Sequence, residues 1–175
     1  MSILIICSAN RVRSPFVAAL LIQRFAELEL DSVPVTSAGT LATADLTAPD
    51  LASEVAQGYG LDLSNHRSRA VTRADVQHSS LVLTMTEAQR TAVQATLPVA
   101  TPRVFTLKEF VRLRGNARDA SASLSELKAL AEVAHRARPR QLPSKQPEDV
   151  EDPLGGSRGS YQVSMKELAS LAKLL

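Results

Sequence analysis

The sequence has a single cysteine and no tryptophan, and aromatic residues make up only 3% of its 175 positions. One cysteine forms no internal disulfide, so nothing in the chain demands an oxidising compartment, and a cytoplasmic location is expected. So few aromatic rings make a poor stacking surface for single-stranded nucleic acid, and no nucleic-acid partner is expected. No apolar run approaches membrane-spanning length, and no basic segment precedes an apolar stretch at the N-terminus, so neither a membrane span nor a signal peptide is expected. His66, His78 and His135 stand at no metal-ligand spacing with one another or with cysteine, which argues against a metal centre. Gly58–Gly60 and Gly155–Ser157 are turn signals, not a dinucleotide fingerprint or Walker loop, and no cofactor is expected.

What is present describes an ordinary globular chain, 45% hydrophobic and 22% charged, long enough to bury a core as one domain over residues 1–175. The net charge of +2 hides an asymmetry. Residues 108–145 hold nine Lys and Arg against four Asp and Glu, a local balance of +5, whereas the remainder carries eleven basic and fourteen acidic residues. A basic helical segment of this kind can attract phosphate-rich partners, but a solvated helical face is the simpler reading.

Short apolar runs alternate with helical stretches, which predicts an α/β fold with a four-stranded parallel sheet and helices on both faces. Strands are expected at Ser2–Ile6, Val33–Gly39, Ser80–Met85 and Arg103–Leu107. Pro15 suits the first turn of a helix whose Val17, Leu20, Leu21, Phe25 and Leu28 form one apolar stripe. A second helix is expected over Ala48–Gln57, closed by Gly58 and Gly60. Thr86 with Gln89, and Ser123 with Glu126, have the spacing of capping boxes that open helices reaching about Leu97 and Arg138. A proline-rich loop over Pro139–Gly159 precedes a last helix with Tyr161, Met165, Leu168, Ala172 and Leu175 on one stripe. Loops this long inside a domain are often functional.

Chemistry concentrates in "LIICSANRVRSPFVAALL", which begins at Leu4. Ligands of parallel α/β sheets bind beyond the carboxyl ends of strands, where loops lead into helix N-termini. Cys7 sits at that end of the first strand, and the loop from Ser8 through Ala9, Asn10, Arg11 and Val12 can curl its amides around an anion. Arg13 adds a planar fork matched to two phosphate oxygens. Such a field favours a thiolate, and the Ser14 hydroxyl can hydrogen-bond it. One loop thereby supplies a nucleophile and a phosphate cradle. A proton donor for the leaving oxygen is sought among Glu148, Asp149, Glu151 and Asp152, the acids of the long loop, and their spacing does not choose between them.

At this point the sequence resembles the low-molecular-weight protein tyrosine phosphatases. The family pattern C-x-G-N-x-C-R-S reads here C-S-A-N-R-V-R-S, matching at Cys7, Asn10, Arg13 and Ser14. "TSAGT" (Thr36–Thr40), "LDLSNHRSR" (Leu61–Arg69), "LVLTMT" (Leu81–Thr86) and "EDPLGGS" (Glu151–Ser157) follow in the family's order. The resemblance implies hydrolysis of phosphomonoesters, foremost protein phosphotyrosine, without a metal. Cys7 would attack phosphorus to give a phosphocysteine, while Arg13 and the loop of Ser8, Ala9, Asn10, Arg11, Val12 and Ser14 hold the oxygens. Asp152 would protonate the leaving oxygen and then deprotonate the hydrolytic water, so the rate should show a thiolate limb and a protonated-Asp limb with pH. Asn10 would hold the loop's backbone shape, supported by Ser37 and His66.

Departures from the pattern bear on substrate more than on reaction. Ala9 replaces a glycine, placing a Cβ where the loop is expected to want φ > 0. Val12 replaces a second cysteine, so an oxidised Cys7 has no resolving thiol in its loop. Arg11, at a position that is variable in the family and lines its pocket mouth, either marks an acidic or multiply phosphorylated protein substrate or simply points to solvent, and Leu154 stands where the family commonly has an aromatic. The alternatives are phosphoarginine hydrolysis, a phospho-ligand-binding regulatory protein without turnover, and arsenate reduction, whose internal thiol relay needs further cysteines that the chain lacks.

Overall fold

The computed structural model describes residues 2–29, 33–114, 124–138 and 148–175. Its order is β1 (Ile3–Cys7), α1 (Arg13–Glu27), β2 (Val35–Gly39), α2 (Asp50–Gln57), α3 (Arg73–His78), β3 (Leu81–Thr84) and α4 (Glu87–Thr96). A 3-10 helix (Pro98–Arg103), β4 (Val104–Thr106), α5 (Leu107–Leu113), α6 (Leu124–Ala137) and α7 (Arg158–Ala172) follow. Among these residues no helix is long and apolar enough to cross a membrane.

The four strands form one parallel sheet in the order β2-β1-β3-β4. Strand β1 is apolar without interruption because both of its faces are covered. Ile3, Ile5 and Cys7 face one core with Phe16, Val17 and Leu21 of α1, Phe110 of α5 and Met165 of α7. Leu4 and Ile6 face a second core with Val76 of α3 and Val93 of α4. Each of these fully buried side chains contributes about 1.5–3 kcal/mol relative to exposure. The chain leaves β1 toward β2 on one side and reaches β3 on the other, so the strand order reverses beside β1. The crevice that a parallel sheet offers to ligands opens there, beyond Cys7.

Predicted and observed elements agree within about two residues at most boundaries, the ordinary uncertainty of helix and strand ends. The exceptions have local causes. Leu28 was expected on the α1 stripe but lies past the helix end and is exposed, while Phe16 takes its share of the core. The last helix begins at Arg158, capped by the Ser157 side chain, so Gly159 belongs to the helix rather than to the loop. The short helices α3 and α5 were not anticipated, being too brief for an apolar period to register. The Ser123–Glu126 capping box lies outside the described residues, as does the loop over residues 139–147.

The basic segment is not simply a solvated face. Arg138 donates to Glu109 at 2.9 Å and lies 4.1 Å over the Phe105 ring, Lys108 pairs with Glu167 at 2.8 Å, and Arg112 pairs with Glu148 at 2.9 Å. These cations fasten helices and the acidic loop to one another. Arg136, paired at 3.5 Å with Glu132 one turn away, is the exposed kind that was expected.

Candidate active site

Strand β1 delivers Cys7 to the carboxyl edge of the sheet, where its sulfur is buried but not idle. Asn10 donates its backbone N–H to Sγ at 3.2 Å, and the Ser14 hydroxyl lies 3.1 Å from it. Asn10 Nδ2 already donates to Ser14 Oγ at 2.9 Å, so the Ser14 proton is left to point at Sγ or at the Ala38 carbonyl, which is farther at 3.4 Å. The sulfur thus has a main-chain donor and a hydroxyl within hydrogen-bond reach.

The loop's unusual backbone falls at Asn10, whose φ is +53°, and not at Ala9. The strain expected from a Cβ at Ala9 is therefore absent. Asparagine tolerates the left-handed region, and here its groups are used in full. Nδ2 donates to Ser14 and to Ser37, each at 2.9 Å, and Oδ1 accepts from the Arg69 amide at 2.9 Å. Its carbonyl lies 2.6 Å from His66 Nε2. A carbonyl can only accept, so His66 carries its proton on Nε2. Burial pushes the His66 ring below its ordinary value; the Asn10 bond opposes this and Arg67 adds to it, so the ring is neutral at neutral pH.

The remaining donors of the loop are unspent. Val12, at the N-cap of α1, offers no side-chain cap, and the amides of Ala9, Arg11, Val12 and Arg13 have no partner among the described residues. Arg13 is buried, and its Nε–H lacks any hydrogen-bond partner there. Nη1 donates to the Val150 carbonyl at 2.9 Å, and Nη2 is ion-paired with Asp152. Free amides, an unpaired guanidinium N–H and a positive helix end make an anion cradle beside the sulfur.

The fold separates the four acids of the long loop. Glu148 pairs with Arg112, Asp149 accepts from the Glu87 amide at 2.8 Å, and Glu151 is exposed with its carbonyl held by Ser164. Asp152 alone reaches Arg13, and its second oxygen accepts from the Leu154 amide at 3.2 Å. The segment holds this pose because Val150 is buried and donates to the Met85 carbonyl at 2.8 Å.

All the predicted site residues gather at this edge, though not in equal roles. Ser8 and Ala9 are half-exposed, and the Val12 side chain is core. Arg11 is half-exposed and donates from Nε to the Thr47 carbonyl at 2.8 Å. Three participants went unread in the sequence: Arg69, whose amide holds Asn10; Gln89, whose Nε2 donates to Ser8 Oγ at 3.0 Å; and Gly39. A Cβ on Gly39 would sit 2.3 Å from the Ser8 carbonyl oxygen and 3.0 Å from the Asn10 nitrogen, both main-chain atoms. The glycine was legible as a turn signal, but its contact with the loop lies across the sheet. Gly39→Ala is expected to displace the loop and lower kcat/KM about a hundredfold, the effect of roughly an ångström of misplacement. Steady-state assays, with circular dichroism as the folding control, check this. Among the described residues no group of three His, Cys, Asp or Glu is placed to hold a metal ion.

Comparison with known proteins accords with this geometry. The family model described as "Low molecular weight phosphotyrosine protein phosphatase" matches residues 2–122. The chain belongs to that family. As a low molecular weight phosphatase it is an enzyme of this class, and the family's proteins act on phosphoproteins. A probable low molecular weight protein-tyrosine-phosphatase, EpsP of Ralstonia nicotianae, is 38% identical over 62% of this chain and 71% of its own. A protein-arginine-phosphatase of Bacillus subtilis is 29% identical over 100% of this chain and 94% of its own. Among solved structures, the low molecular weight protein tyrosine phosphatase of T. tengcongensis superposes with a TM-score of 0.75 at 26% identity, covering 99% of this chain and 96% of that one. The family model ends before Asp152, so placement of that residue in the phosphatase site rests on its ion pair with Arg13.

Proposed function

We propose that this phosphatase hydrolyses protein phosphotyrosine through a cysteinyl-phosphate intermediate. The observation that carries the reading is the Cys7 sulfur, 3.2 Å from the Asn10 amide and 3.1 Å from the Ser14 hydroxyl, under a loop of unpaired donors with Arg13 and Asp152 at its edge. The loop amides and Arg13 hold the equatorial oxygens of the phosphoryl group, which places phosphorus in line with Sγ. Sulfur attacks, the P–O bond to tyrosine breaks, and Asp152, released from Arg13 and protonated, delivers its proton to the departing oxygen. Asp152 then takes a proton from the water that cleaves the S–P bond. Ser14 stabilises the departing thiolate. Neutral His66, Ser37 and Asn10 keep the loop in shape.

Two features bear on the substrate. Arg11 donates to a main-chain carbonyl, as does Arg67 beside His66, and neither has a carboxylate partner among the described residues. Their positive charge supports acidic residues flanking the phosphorylated side chain. A nucleophilic thiol without a resolving partner functions where it stays reduced, which supports the cytoplasm as its place of action.

The second reading, phosphoarginine hydrolysis, is supported by the full-length match to a protein-arginine-phosphatase and by Leu154, exposed two residues after Asp152 at a position where the family commonly has an aromatic. Phosphotyrosine, phosphoserine and phosphoarginine peptides, assayed side by side on the wild type and Asp152→Asn, decide. Wild type is expected to favour phosphotyrosine. Asp152→Asn is expected to lose about 10²–10⁴-fold in kcat on tyrosine peptides and far less on 4-nitrophenyl phosphate, whose leaving group needs little protonation. Faster turnover of phosphoarginine would replace tyrosine as the substrate, and binding without turnover of any peptide would reduce the protein to a phospho-ligand binder.

A further inference from the structure

Three helices among the described residues open with a complete capping box, and they differ in one chemical detail. In α3 and α5 the reaching side chain is a carboxylate, Asp75 or Glu109; in α4 it is the amide of Gln89. A carboxylate offers only acceptors, which is all that the N-terminus of a helix requires. An amide has a second end. Gln89 Oε1 accepts from the amides of Met85 at 2.9 Å and Thr86 at 3.2 Å, completing the cap. Its Nε2 donates to Ser8 Oγ at 3.0 Å, across the sheet to the first residue of the loop after Cys7. Gln89 is 5% exposed and Ser8 half-exposed, which leaves the bond partly buried.

We propose that Gln89 is a positioning residue for phosphate binding that acts through Ser8. A hydroxyl that accepts from Nε2 has its own proton directed elsewhere, and Ser8 is half-exposed at the start of the loop whose unpaired amides form the anion cradle. Gln89 thereby orients the Ser8 O–H as one more donor to a phosphoryl oxygen and ties the first loop residue to the rigid start of α4. A carboxylate in its place would accept that proton and turn the hydroxyl away from the phosphate. The requirement for an amide here, where the other two boxes use acids, follows from that difference. The inference rests on reading the loop as the phosphate cradle.

Gln89→Glu retains the acceptors for Met85 and Thr86 but removes the donor to Ser8, so it separates capping from positioning. Its thermal midpoint is expected to match the wild type, whereas Gln89→Ala, which loses both, melts lower. Gln89→Glu is expected to lower kcat/KM on an aryl phosphate, and to weaken protection by inorganic phosphate in a thermal-shift assay, by about ten- to a hundredfold, the strength of one hydrogen bond to a charged group. Ser8→Ala supplies the second arm of a double-mutant cycle. With the Ser8 hydroxyl removed, Gln89→Glu is expected to add less than about a twofold further loss. An equal loss in both backgrounds overturns the inference and leaves a simple charge effect; a midpoint for Gln89→Glu as low as that of Gln89→Ala overturns it in favour of capping alone. If the wild type neither turns over the ester nor is protected by phosphate, the cradle reading fails and the inference with it.

Discussion

Cys7→Ser is expected to abolish phosphatase turnover while preserving phosphate binding. The substitution leaves the Asn10 and Ser14 donors, the loop amides and Arg13 in place, so the cradle remains. It removes the sulfur nucleophile and leaves a serine hydroxyl, a far weaker one. His66 spends its Nε2–H on the Asn10 carbonyl, so that nitrogen does not serve as a base. A nucleophile that works as part of one catalytic unit loses about 10⁶-fold when replaced. Initial-rate assays should therefore find no rate above background, and inorganic phosphate should still raise the thermal midpoint. Rapid quenching of the wild type should place a phosphoryl group on the peptide bearing Cys7. Turnover by Cys7→Ser within about tenfold of wild type would falsify the covalent route.

The second large effect concerns stability. Glu109 is 5% exposed and lies between two guanidiniums, Arg90 at 2.9 Å and Arg138 at 2.9 Å, joining α4, α5 and the end of α6. Glu109→Ala leaves Arg138 without a carboxylate partner among the described residues, leaves Arg90 with Glu87 alone, and strips the cap of α5. Breaking one side of a buried pair costs about 3–5 kcal/mol. For a chain of this size that is a fall in midpoint of roughly 10 °C. Burial pushes the Glu109 carboxyl up, but hydrogen bonds and charge from Arg138, then charge and a hydrogen bond from Arg90, outweigh it and hold the group below its ordinary 4.5. A carboxyl depressed in the folded state stabilises fully above its unfolded value and loses that contribution as pH falls through the folded one. The stability gap between wild type and Glu109→Gln should accordingly be constant above about pH 5 and close below the unfolded carboxyl value. A gap that widens on acidification would contradict this assignment.

How much of this was legible in the sequence depends on the distance over which each contact acts. Strand β1, its following loop and the start of α1 were readable because apolar run, cysteine, arginine and proline lie within a dozen residues and each restricts the backbone locally. The Thr86–Gln89 box was readable as a cap from its spacing, yet nothing in that spacing reveals where Nε2 points. The same holds for Gly39, whose value is a contact with a loop on the neighbouring strand, and for Arg69, which acts through its main chain. By spacing Asp152 stood among four plausible acids; the family resemblance chose it, and packing of the long loop, fastened at Val150, Glu148 and Asp149, separates it from the others in space. The strain expected at Ala9 proved to belong to Asn10, since the number of left-handed residues in a loop is easier to anticipate than their register.

The contact between Asp152 and Arg13 has a consequence for the end of the catalytic cycle. On the proposed mechanism, the guanidinium nitrogen that receives the ester has a carboxylate partner tethered in its own chain. On that mechanism Asp152 returns to Arg13 as orthophosphate leaves, so carboxylate and product compete for one guanidinium.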